Sequence, residues 1–133
     1  MRGEDGCVSK RVLVVDDEAD FLATYERLFG RQGYEVITAT SRAAGLAAVL
    51  AALSGQRLDL VISDLRLPDG DGLDVVRAAR GTPDPPPVFV VTGYPSDETR
   101  RAAVAAGATA FFPKPFAAAG LLAAVRSSLS GGA

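Results

Sequence analysis

Short, unbroken apolar runs alternate along this chain with longer stretches in which apolar residues return every three or four positions, the mark of repeated β-α units on a parallel sheet. Val12–Val15, Leu60–Ile62 and Val88–Val91 are rich in β-branched residues and carry no polar interruption, as strands covered on both faces should. These predict the central strands. Glu35–Thr38 is more mixed, and Ala110–Phe112 runs into Pro113, which a sheet accepts mainly at an edge or a strand end. These predict the outer strands.

Between the runs lie five helical segments. Asp20–Arg31 carries Phe21, Tyr25, Leu28 and Phe29 at helical spacing and closes at Gly33. Ser41 can cap a second helix whose Leu46, Val49, Leu50 and Leu53 fall on one stripe, and Phe116–Leu129 presents Leu121, Leu122, Val125 and Leu129; both stripes are expected to face the core. Leu73–Arg80 is a short third helix. Ser96, followed by Asp97 and Glu98, starts a fourth, with its acids at the positive end of the helix dipole and a weak packing stripe of Ala and Arg. Strict alternation with right-handed crossovers predicts a doubly wound (βα)5 sheet, α/β in class and flavodoxin-like. The Pro-rich stretch Gly81–Val88 is a stiff connector within one domain, since periodic segments continue on both sides.

Length agrees with a single domain: 133 residues, 48% of them hydrophobic, leave room for one core. We expect residues 1–10 to be a mobile N-terminal extension, 11–129 the domain and 130–133 a tail. Fourteen basic against sixteen acidic residues give a formal charge of −2, without the basic excess of a nucleic-acid binder. No direct contact with DNA is expected. A lone Cys7 and the absence of His exclude an internal disulfide, histidine metal sites, and Ser-His or Cys-His catalysis. No membrane span or apolar leader is evident, so the expected location is cytoplasmic.

In an open parallel sheet, ligands sit beyond the carboxyl ends of the strands, so the polar residues after each apolar run belong together. They are Asp16 and Asp17 after the first run, Asp64 after the third, Thr92 after the fourth and Lys114 after the fifth. Each has a plainer explanation. The Asp pair can cap a helix, Asp64 can open the turn "SDLRLPDGDG", Thr92 can simply end a strand, and Lys114 can be an ordinary exposed lysine. Together they make chemical sense. An all-oxygen acidic pocket suits Mg²⁺ or Mn²⁺, while Lys and Thr opposite the ion can hold a phosphoryl group as it moves onto a carboxylate.

The motifs "VLVVDDEAD", "DLVISDLRLPDGDGLDVV", "VVTGYPS" and "AAGATAFFPKPF", in that order from about Arg11 to Leu129, resemble the receiver domain of two-component response regulators. The resemblance implies a five-stranded parallel sheet of order 2-1-3-4-5. It makes Asp64 the phosphoacceptor for the phosphohistidine of a histidine kinase or histidine phosphotransfer protein. Asp17 is then a direct Mg²⁺ ligand, Asp16 acts mainly through coordinated water, and the backbone carbonyl of Arg66 supplies a further oxygen. Lys114 pairs with Asp64 and later with the phosphoryl oxygens, Thr92 moves to hydrogen-bond them, and Phe111 turns inward as the aromatic switch. A cis peptide is expected between Lys114 and Pro115. The fourth helix, fifth strand and fifth helix would form the output surface, where Arg100, Arg101 and Arg126 lie, for an output domain, a partner or a homodimer. Arg66 and Tyr94 flank the implied path of attacking water and are expected to lengthen the phosphoryl lifetime.

The chain departs from the family pattern at Gly93, where alanine is common, at Pro113, and at Phe111, which lacks a tyrosine hydroxyl. Two other readings fit parts of the pattern: an Mg²⁺-dependent phosphohydrolase with an aspartate nucleophile, and a receiver-like interaction module that is never phosphorylated. The haloacid-dehalogenase type places its nucleophile after the first strand in an Asp-x-Asp pattern. Here the "DDE" comes first and Asp64 follows the third strand.

Overall fold

The computed structural model describes residues 9–130. Five parallel strands, β1 (Arg11–Val15), β2 (Glu35–Ala39), β3 (Leu60–Asp64), β4 (Val88–Thr92) and β5 (Ala110–Pro113), form one sheet of order β2-β1-β3-β4-β5, as expected. Helices α1 (Ala19–Gly30), α2 (Arg42–Ala52), α3 (Leu73–Arg80), α4 (Asp97–Ala106) and α5 (Ala118–Ser130) follow the strands in turn. The expected N-terminal extension up to residue 8, with Cys7, and the end of the tail lie outside the described residues.

Alternation along each strand sorts the core into two layers. Val12, Val14, Leu60, Ile62, Phe89 and Val91 meet α1 and α5 through Tyr25, Phe29, Leu121 and Val125. Leu13, Val15, Val61, Val88 and Val90 meet α2, α3 and α4 through Val49, Val75, Val76, Ala79 and Ala103. The continuous apolar runs are thus accounted for, because β1, β3 and β4 lie in the interior of the sheet and have helices on both faces.

Two details differ from expectation. Leu50 and Leu53 are not core residues: they are 64% and 56% exposed, while Val49 is buried and Leu46 half-buried. The cause is Gly45, whose missing side chain lets α2 approach Val15 and Val75 so closely that a Cβ there would lie 3.1–3.2 Å from them. The helix therefore packs through Val49 with Leu46, Ala48 and Ala52 beside it, and only Leu50 and Leu53 of its stripe turn aside. The last helix begins at Ala118 and not at Phe116, which precedes it and stacks on Tyr25 at 5.5 Å between ring centres.

Helix starts follow the predicted capping chemistry. Ser41 Oγ accepts a hydrogen bond from Ala44 N, and Ser96 and Thr99 form a reciprocal capping box on α4. Asp69, in the loop after β3, accepts from Arg42 N at 2.6 Å and Ala43 N at 2.9 Å, so the first amides of α2 are satisfied from another loop. That loop is itself folded tightly. Arg66–Leu67 pairs antiparallel with Gly70–Asp71, Asp71 Oδ1 accepts from Leu73 N, and Gly72 packs so closely on the Asp64 carbonyl that no side chain fits there.

Candidate functional site

The carboxyl ends of β1, β3, β4 and β5 deliver Asp16, Asp64, Thr92 and Lys114 to one rim of the sheet. Asp16, Asp17 and Asp64 each present a carboxylate oxygen within 4.8 Å of the others, a cluster able to bind a metal ion. Asp16 and Asp64 are buried and Asp17 is exposed. The site is built by main-chain geometry. Asp16 N donates to Ala39 O at 2.9 Å, Asp16 Oδ1 accepts from Glu18 N at 2.8 Å, and Asp64 Oδ1 accepts from Arg66 N at 3.2 Å.

Lys114 is the cation of this rim and is not the ordinary exposed lysine that its flanking prolines allow. Its side chain is only 5% exposed, and its ammonium lies 2.7 Å from Asp64 Oδ2, 2.7 Å from Glu18 Oε1 and 2.8 Å from Asp16 Oδ2. It also lies 4.2 Å from the centre of the Phe21 ring. Burial works against the ammonium, but the carboxylates of Asp16, Asp64 and Glu18 overcome it and raise its pKa. Burial likewise pushes the Asp16 carboxyl upward, against the lowering effect of Lys114 and of the Glu18 amide. The Lys114–Pro115 peptide is cis, and Lys114 N donates to Thr92 O at 2.7 Å, joining the ends of β4 and β5.

A divalent cation fits this donor set. Asp16 Oδ2 is buried and receives no aligned hydrogen bond, since Lys114 meets it as an ion pair without hydrogen-bond geometry. A buried carboxylate oxygen with an unused lone pair, beside two more carboxylates, is suited to a hard ion with oxygen ligands.

The outer parts of the site are also assembled. Thr92 is buried at the end of β4, and its Oγ1 accepts from Tyr94 N at 3.0 Å. The Arg66 guanidinium does not reach toward Asp64 but lies over the Tyr94 ring, 3.9 Å from its centre. Phe111, half-buried on the α2–α4 side of the sheet, is covered by Arg100 at 4.9 Å. Glu18 is the member that sequence reasoning missed. It closes the "DDE" run, and its acidic character was the available signal, but its approach to Lys114 joins positions 96 residues apart.

A doubly wound parallel sheet with a surplus of carboxylates and one buried lysine at its carboxyl rim defines a class of small α/β domains whose ligand site lies at the strand ends. The chain belongs to a family within that class: the response regulator receiver domain model matches residues 12–126. It is 38% identical over 126 residues to the transcriptional regulatory protein PrrA of Mycobacterium tuberculosis, covering 95% of this chain and 52% of that protein. The chain therefore spans about half the length of the curated relatives it matches. Among solved structures, a CheY-like response regulator receiver domain from Methanospirillum hungatei superposes with a TM-score of 0.82 at 30% identity, covering 93% of this chain and 96% of that one. A response regulator from Burkholderia pseudomallei, solved with a phosphorylated aspartic acid, calcium ion and citrate, gives 0.77 at 30% identity, over 92% of this chain and 70% of that one. The protein is thus a receiver domain of the two-component kind, and no helix among its described residues is long and apolar enough to cross a membrane.

Proposed function

We propose that this domain accepts a phosphoryl group on Asp64 from the phosphohistidine of a histidine kinase or histidine phosphotransfer protein. The observation that carries the reading is the Asp64 carboxylate itself, held between the Arg66 amide and the Lys114 ammonium at the centre of the acidic cluster. That a Burkholderia relative is recorded with a phosphorylated aspartic acid supports it. An Asp64 oxygen attacks phosphorus, the phosphorus–nitrogen bond breaks, and its electron pair leaves on the donor's imidazole. The chain has no His, so the donor is another protein, a kinase domain outside these residues, or a small acyl phosphate.

Mg²⁺ or Mn²⁺, held by Asp16, Asp17, Asp64 and the Arg66 carbonyl, would neutralise charge shared by the carboxylates and the incoming phosphoryl oxygens. Lys114 contributes a second positive charge and orients the group through its tie to Asp64. Thr92 exchanges its resting bond from the Tyr94 amide for a hydroxyl hydrogen bond to the phosphoryl group. Phe111 then turns inward, its contact with Arg100 is lost, and the α4-β5-α5 surface changes for an output domain, a partner or a second copy. The Arg66–Tyr94 stack shields the phosphoryl group from water and sets its lifetime.

Incubation with acetyl phosphate and Mg²⁺ should yield a single phosphoryl adduct by intact mass, absent without the metal and absent in Asp64→Asn. A folded, Mg²⁺-binding protein that forms no adduct would refute the reading.

A further inference from the structure

The Lys114 ammonium has three carboxylate oxygens at 2.7–2.8 Å: it donates hydrogen bonds to Asp64 Oδ2 and Glu18 Oε1 and meets Asp16 Oδ2 as an ion pair. The three partners are not equivalent. Asp16 and Asp64 have side chains 2% and 9% exposed and are fixed at strand ends, whereas Glu18 is 55% exposed just ahead of α1. Releasing Asp16 or Asp64 from the lysine would leave a buried carboxylate unpaired, while Glu18 can return to water at little cost. Of the three, Glu18 is therefore the partner most easily displaced when Lys114 turns to new oxygens.

We propose that Glu18 competes with the phosphoryl group for Lys114. It acts as a positioning residue that occupies the lysine at rest and opposes the phosphorylated state. This rests on the reading of Asp64 as phosphoacceptor. Glu18 stays outside the buried cluster, so its effect is that of an exposed ion pair, about two- to fivefold in the affinity of a group bound at Asp64. Because one partner faces solvent, added salt should weaken the competition.

Beryllofluoride, a phosphoryl mimic, tests this as an equilibrium by fluorine NMR titration at saturating Mg²⁺. Glu18→Gln should lower the apparent Kd about two- to fivefold at unchanged Tm, and the gain should shrink as KCl is raised. Asp20→Asn removes an exposed charge from the first turn of α1 that is not among the carboxylates on Lys114, and it should leave the affinity unchanged. Equal or weaker binding by Glu18→Gln, a gain insensitive to salt, or an equal gain from Asp20→Asn would overturn the competition. If the wild-type protein itself binds no beryllofluoride, the phosphoacceptor reading falls and the competition falls with it. If it binds and Glu18→Gln gains nothing, only the competition falls.

Discussion

Both ends of the sheet carry charge, and they carry it differently. At the amino end, charges meet in separate pairs of opposite sign: Arg11 with Glu35 at 3.4 Å and Arg57 with Asp59 at 3.3 Å, while Asp59 also accepts from the Arg11 amide. At the carboxyl end, Asp16, Glu18 and Asp64 converge on one lysine, and Asp17 adds a further carboxylate. Balanced pairs close a fold. An excess of one sign, held partly buried, costs stability unless a mobile cation completes it, and that surplus is what the proposed function would use.

The largest effect should come from removing the lysine. Lys114→Met leaves buried carboxylates uncompensated and should cost about 2–4 kcal/mol in urea unfolding without divalent ions. Arg57→Met, at the balanced end, should cost less than about 1 kcal/mol because its side chain is 62% exposed. Similar losses at both ends would erase the distinction.

Mg²⁺ sharpens the same contrast from the opposite direction. At a hundred times its Kd a native-state ligand adds about 2.7 kcal/mol, so Tm should rise with Mg²⁺. Asp17→Asn should remove most of that rise. Asp59→Asn should lower basal stability, through its bond from Arg11 N, and keep the Mg²⁺ response intact.

A smaller effect belongs to the Arg66–Tyr94 stack. Replacing both by Ala should shorten the phosphoryl lifetime by about two- to fivefold, the worth of an exposed cation–π contact. An unchanged lifetime would make the stack a surface ornament.

The smallest lies at Asp69, which caps α2 from the loop after β3. Its hydrogen bonds from the Ala43 and Arg42 amides hold its carboxyl below the ordinary aspartate value of 3.8. A depressed folded pKa means that its contribution is present above pH 3.8 and is lost as pH falls through the lower, folded value. Asp69→Asn should therefore flatten the acid limb of the stability curve below that pH. A limb unchanged in the variant would assign the acid sensitivity to other carboxylates.

What could be read along the chain was whatever depends on neighbours in sequence. The apolar runs of β1, β3 and β4, the Ser41 and Ser96 caps, and the acids after the strands follow from local period and side-chain type. Asp16, Asp17, Asp64, Thr92 and Lys114 then meet because parallel crossovers bring all carboxyl ends to one edge. What escaped depends on distances between elements. Glu18 finds Lys114 and Asp69 finds α2 only after folding, and the helical stripe of Leu50 and Leu53 is turned from the core by a close approach at Gly45.

The most direct test is to locate the phosphoryl group. After Mg²⁺-dependent reaction with acetyl phosphate, borohydride reduces an aspartyl phosphate to homoserine, which marks the acceptor for peptide mass spectrometry. The account predicts homoserine at position 64 alone. Label at Asp16 or Asp17, or no label on a protein that binds Mg²⁺, would contradict it.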